Sequence, residues 1–227
     1  MRWRILPEER SVTYSPAWFR PVDVFSGGPP VERLRVTLDL ADGGSWTATG
    51  IEAVVTPSGA VAYPGLGRSR QPLAAPARRY RARFEADTYI PLYLVERDGE
   101  EFDAFPYDNT HPPAQRATLA VVELAPSLGH RLPGDVPTLY GTVVSPAGVP
   151  VANALVRSPS TPPASPLPLE RTVTDGSGAF ALPLRWAALD ADTVVGATDR
   201  RSQPPRSGTI SVRLPAALDQ SHRIQIG

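Results

Sequence analysis

Carboxylates are the side chains of this 227-residue sequence whose clustering comes nearest to a catalytic pattern. Glu96, Asp98, Glu100, Glu101, Asp103 and Asp108 fall in one short stretch, and a glycosidase needs two such groups at a set separation, while calcium needs several oxygen ligands together. Most of them flank Asp98-Gly99, a turn signal where solvated acids are ordinary, so the expectation is that none is catalytic or metal-bound. Asp190-Ala-Asp192 is a poorer metal candidate, because further spaced oxygen ligands are missing. The histidines His111, His130 and His222 lie apart, with no His-x-x-x-His pair, and there is no cysteine, which rules out thiolate chemistry, disulfides and Cys-ligated metals. Asp175-Gly-Ser-Gly178 has the wrong spacing for a nucleophile elbow. Gly65-Leu-Gly67 and Gly176-Ser-Gly178 lack the Lys-Ser/Thr of a phosphate loop and the strand-to-helix setting of a dinucleotide site. We therefore expect no enzyme and no cofactor.

All 23 basic residues are arginine, balanced by 23 acids. This neutrality argues against broad attraction to nucleic acid. The densest cluster, Arg78-Arg79-Tyr80-Arg81-Ala82-Arg83, alternates with Tyr80, Ala82 and Phe84, which is the period of a strand; its arginine face is expected to be solvated.

The elements that must position these residues are strands. With 27 prolines and 18 glycines the chain is poor in helix-forming stretches, and Val, Thr, Tyr and Phe recur in short runs between turn residues. The expected fold class is all-β: two β-sandwich domains preceded by an extended N-terminal arm. The expected division is an arm over 1–30, a first sandwich over 31–125, a linker over 126–137 and a second sandwich over 138–227. Strands are expected over 34–40, 46–55, 60–63, 79–84, 89–95, 101–105 and 118–124. The first has Leu34, Val36, Leu38 and Leu40 at period two, with Arg35, Thr37 and Asp39 between. Asp42-Gly43-Gly44 and Asp98-Gly99 are each expected to close a hairpin. Single helical turns are expected near 186–190 and 216–220. Val54-Val-Thr-Pro-Ser-Gly59-Ala-Val-Ala-Tyr63 looks like Val173-Thr-Asp-Gly-Ser-Gly178-Ala-Phe-Ala-Leu182, through duplication or through shared turn chemistry.

In the second half, Gly141-Thr-Val-Val144 is followed by Gly148-Val-Pro150-Val-Ala-Asn-Ala154-Leu-Val156, then by Thr174-Asp175-Gly-Ser-Gly178-Ala-Phe180. Gly148 and Pro150 should turn the chain in a hairpin between the two apolar runs. These residues, from Leu139 to Leu182, resemble the carboxypeptidase regulatory-like family of small prealbumin-type β-sandwiches. The resemblance implies an accessory module with no active site of its own. The expected core of this sandwich is Val143, Val151, Ala154, Val156, Val173 and Phe180.

Function is then expected to reside in interfaces. The aromatic residues of the first thirty positions, Trp3, Trp18 and Phe19 among them, are too apolar for a flexible tail and suit an arm that packs on its own domain or on a neighbouring subunit. The insertion at 158–169 carries Pro162, Pro163, Pro166 and Pro168; it reads first as a tolerated surface loop, and alternatively as a polyproline segment that docks in an aromatic groove. The leading expectation is a structural or adaptor subunit of a large assembly, such as a bacteriophage tail or contractile injection particle, with other protein subunits as partners. Two alternatives stay open: a module binding a surface glycan through Trp46, Tyr63 or Trp186, and an accessory subunit of an enzyme. No segment approaches the ~20 apolar residues of a membrane span and the first ten residues lack a signal-peptide core, so cytoplasmic synthesis and assembly are expected, with later release in a particle open.

Overall fold

The computed structural model describes residues 13–69, 75–93, 98–113, 115, 117–134, 136–158, 170–186 and 190–227. The chain is all-β. Its strands are β1 (Trp18–Asp23), β2 (Arg35–Asp42), β3 (Ser45–Ala48), β4 (Val54–Val55), β5 (Val61–Ala62), β6 (Arg78–Glu85), β7 (Tyr89–Pro91), β8 (Glu100–Ala104), β9 (Leu119–Pro126), β10 (Thr138–Val144), β11 (Leu155–Arg157), β12 (Arg171–Val173), β13 (Ala179–Pro183), β14 (Asp192–Asp199), β15 (Arg206–Arg213) and β16 (His222–Gln225). A single 3₁₀ turn spans Ala216–Asp219, as expected; 187–189 lie outside the described residues. Two compact units are formed. The first draws on the described parts of Met1–Arg20, Val36–Arg83 and Glu100–Ala120, the second on those of Pro21–Arg35, Phe84–Gly99 and Val121–Gly227.

In the first unit a sheet runs in the order β3-β2-β6-β8. Asp42-Gly43-Gly44-Ser45 closes β2 onto β3 as a two-residue hairpin, with Asp42 opposite Ser45 and positive φ at both glycines. Opposite this sheet, β1 and β4 pair with β5, and Phe19 lies opposite Val61. The two layers meet through aromatic rings: Phe102 of β8 has Phe19 and Tyr63 within 5.8 and 5.9 Å and Tyr80 of its neighbouring strand at 5.8 Å.

The second unit contains a sandwich of β13-β10-β16 on β12-β11-β14-β15. Its core includes Val143, Ala154, Val156, Phe180 and Ile224 from both sheets, with Val151 packed partly buried at the rim. Val173 is buried as expected but faces the other way, joining Val24, Ala125 and Leu155 on the opposite side of its sheet. Consecutive apolar residues Leu155 and Val156 thus serve two cores, as strand alternation demands. Gly141 sits where β10 passes the Phe180 ring; a Cβ there would meet the His222 carbonyl at 2.5 Å and Phe180 at 2.7 Å.

Two expected hairpins are corrected. The turn at Gly148 forms, with Val144 opposite Pro150, but residues 151–154 are not strand and β11 joins the other sheet of the sandwich. Likewise β7 pairs with β9, whereas β8 pairs with β6, so Asp98-Gly99 does not close a hairpin between them. A turn residue reports a change of direction, and direction can change between sheets as well as within one. The likeness between 54–63 and 173–182 has a local cause. Thr56, Ser145 and Asp175 each open the same turn: the backbone N–H of the residue four on donates to the side-chain oxygen (3.1, 3.2 and 3.0 Å), the opener's carbonyl accepts from the glycine three on, and that glycine has positive φ.

Candidate functional site

The candidate site is a cleft of 270 Å³ in the first unit. Its floor is β8, the outermost strand of its sheet. Glu100, Glu101, Phe102 and Asp103 all line it. Side chains of successive strand residues point to opposite faces, so consecutive residues can share a cleft only if it follows the strand's edge. Among the described residues, no backbone group of another strand bonds to the outer edge of Glu101–Ala104. Edge strands present unpaired N–H and C=O groups that another chain can complete. Tyr14, Trp18, Phe105 and Tyr107 line the cleft as well. Tyr14 is fixed there: its N–H donates to the Tyr107 hydroxyl (3.2 Å), its carbonyl accepts from Gly65 N–H (2.9 Å), and the two tyrosine rings meet edge-on at 5.3 Å.

Of the residues expected to bind partners, Trp18 lines this cleft half-buried. Phe19 lines it too, but is 3% exposed with its ring on Phe102, so most of its surface is spent within the unit. Trp3, Pro162, Pro163, Pro166 and Pro168 lie outside the described residues. Of the acids, Glu100, Glu101 and Asp103 line the cleft along the strand, and Glu101 accepts from Arg79 Nε at 3.0 Å. This hydrogen bond and then the Glu101 charge raise the Arg79 guanidinium above its ordinary value. Asp108 is used elsewhere, accepting from the Thr110 hydroxyl (2.8 Å), the Thr110 N–H (2.8 Å) and the His111 N–H (2.7 Å) in its own loop; those bonds, the hydroxyl's first, hold its carboxyl well below the usual range. Asp98 faces Arg201 at 3.7 Å in the second unit, and Glu96 is outside the described residues. His130 packs on Tyr89 and His222 Nε2 donates to the Ala217 carbonyl at 2.8 Å. Among the described residues no three His, Asp or Glu side chains converge as a metal site requires, and no helix is long and apolar enough to cross a membrane.

Of the three aromatics expected to offer themselves to a glycan, Tyr63 is buried, Trp46 is half-buried and Trp186 is exposed. Tyr63 is 1% exposed and stacked on Phe102. Trp46 lies under the Arg81 guanidinium at 4.7 Å, and Trp186 has Arg185 at 5.4 Å.

The arginine face of β6 is corrected. Arg81 and Arg83 turn onto Asp39, whose side chain is 3% exposed: Arg81 NH2 reaches Oδ2 at 2.8 Å and Arg83 Nε reaches it at 2.8 Å. Burial pushes the Asp39 carboxyl up, but the hydrogen bonds from Arg83 and Arg81 outweigh it and hold the group below its ordinary value. Tyr63 carries a buried hydroxyl with no hydrogen-bond partner among the described residues, and burial, then the Asp39 charge, raise it far above the ordinary phenol value. A charged residue alternating with leucines reads as solvent-facing, and only the two arginines across the sheet reveal that Asp39 is covered by its partners.

No family model matches the chain, and no curated protein matches it. Among solved structures it is similar, at 10% identity, to the Bacillus anthracis TIE protein (94% of this chain, 34% of that one, TM-score 0.28). It is also similar at 10% identity to a Streptococcal ancillary pilin (95% and 62%, TM-score 0.27). A point mutant of the shaft pilin spaA from Lactobacillus rhamnosus GG is a third such structure, again at 10% identity (95% and 98%, TM-score 0.32). The chain spans about a third of the first and under two thirds of the second. Superpositions this loose assign no activity or partner to the chain.

Proposed function

We propose that the protein is a non-enzymatic structural or adaptor subunit of a large multi-subunit assembly, and that it holds a neighbouring subunit by receiving an extended segment along β8. The observation that carries this is the run of four consecutive residues of an edge strand, Glu100 to Asp103, lining one cleft together with the aromatic side chains of Tyr14, Trp18 and Tyr107. Main-chain pairing to an open edge supplies affinity, and alternate side chains in the flanking cleft supply specificity. The volume of 270 Å³ is below the ~300–1,000 Å³ of ordinary small-molecule pockets, which suits inserted side chains rather than a cofactor. At the finer level we propose a bacteriophage tail or contractile injection particle, put together in the cytoplasm and released whole, with the Pro-rich loop as a further contact; the expected arm over 1–30 is cut back to the residues ahead of β1, because Trp18–Asp23 is an interior strand of its own sheet. Purification of native particles from the producing cells tests this: the chain should be a stoichiometric component of them. Recovery as a free protein from cells that contain such particles would contradict it.

One observation favours a second reading, a glycan site. Tyr14, Trp18, Glu100 and Asp103 share the cleft, and sugars are held by aromatic faces together with carboxylates. A glycan array decides between the two; the subunit reading expects no enriched sugar.

A further inference from the structure

The pairing already present on the inner edge of β8 identifies what would fit its outer edge. There β6 sets Arg79 opposite Asp103, Tyr80 opposite Phe102 and Arg81 opposite Glu101. Base meets acid, aromatic meets aromatic, base meets acid. The Tyr80 and Phe102 rings are 5.8 Å apart and 21° from parallel, and Arg79 also bonds Glu101 diagonally at 3.0 Å. Such cross-strand pairs are the unit of sheet stabilisation. A strand's two edges share one set of side chains, so Glu101-Phe102-Asp103 asks the same base-aromatic-base triplet of any strand added outside.

That triplet occurs again in this sequence, as Arg2-Trp3-Arg4, followed by Ile5-Leu6. These residues lie outside the described part of the chain, and the inference uses only their sequence. Five residues from Arg2 to Leu6 match the five of β8 in length. Their alternation would put both arginines on the Glu101 and Asp103 side and Trp3 on the Phe102 side, in either strand direction.

We propose that residues 2–6 of a second copy of this chain add as a strand to the outer edge of β8, with Arg2 and Arg4 facing Glu101 and Asp103 and Trp3 against Phe102. This rests on the subunit reading above and names the partner. Asp103 is the residue to reverse, since it is exposed and Glu101 already holds Arg79. Sedimentation of the full chain across a concentration series should show self-association. Asp103→Arg, Arg2→Asp and Arg4→Asp should each weaken it at least tenfold with an unchanged circular dichroism spectrum. Asp103→Arg combined with one of the two arginine reversals should restore it; which one restores it reports the strand direction. A synthetic peptide of residues 1–10 should compete with self-association of the wild type. A chain that stays monomeric at all concentrations, or single reversals without effect, would overturn the proposal. A monomer whose own stability changes on Arg4→Asp would place the segment in its own cleft, and also overturn it. If the monomeric chain still enters purified particles, the subunit reading stands and only this inference falls.

Discussion

The rings of Tyr80 and Phe102 stack 21° from parallel across β6 and β8, and in the same register Arg79 faces Asp103 and Arg81 faces Glu101. Each strand therefore carries a charge-aromatic-charge triplet matched to its neighbour, and β8 has one matched edge and one edge with no strand partner among the described residues.

Asp39→Ala should destabilise the chain by roughly 3 kcal/mol, because it leaves Arg81 and Arg83 facing each other without their carboxylate. The estimate stays low in the usual range since Arg83 is a third exposed and water screens it. The folded carboxyl lies below its ordinary value of 3.8, so its contribution is present above that pH and is lost as the pH falls through the folded value. Urea unfolding from pH 7 down to pH 2 should show a stability loss in the wild type that is smaller in the variant.

Phe180→Ala should cost about 3–5 kcal/mol, since the ring is 1% exposed at the centre of the second unit's sandwich. Gly141→Val should be comparably damaging with no cavity made, because its Cβ would collide with the His222 carbonyl and with that same ring. Chemical denaturation midpoints of the two variants check both statements.

Glu170 is 4% exposed, and its Oε1 accepts from the Trp186 N–H while Oε2 has no partner among the described residues. Burial raises its carboxyl above the ordinary value despite the opposing hydrogen bonds from Trp186 and Ser158. For an acid raised in the folded state, stability is full below the ordinary value of 4.5 and declines as the pH rises through the folded value. Glu170→Gln keeps the acceptor and removes the charge. Thermal melts should find the two proteins alike at pH 4 and the variant more stable at pH 7.

Most strands were legible because their alternation and their turn residues agree: Leu38 is buried between Asp42-Gly43-Gly44 and its neighbours as the period-two reading requires. What alternation cannot carry is the partner. Asp39 sits at a position that reads as solvent-facing, and it is buried because Arg81 and Arg83, more than forty residues on, come to it across the sheet. Asp98-Gly99 carries hairpin chemistry, yet β7 and β8 join different sheets, since pairing is decided by long-range packing rather than by the turn. The cleft was half legible. Its acids and Trp18 were each singled out by type, but their lining of one cleft depends on β8 lying at a sheet edge, which no local pattern encodes.

Amide hydrogen exchange along β8 tests the central claim most directly, by comparing the dilute subunit with the assembled particle. Of residues 101–104, the amides bonded to β6 should be protected in both states. The alternating amides on the outer edge should exchange rapidly in the subunit and slow by on the order of a hundredfold or more in the particle. Equal rates for those outer amides in the two states would mean that no neighbouring chain completes β8, and would contradict the account.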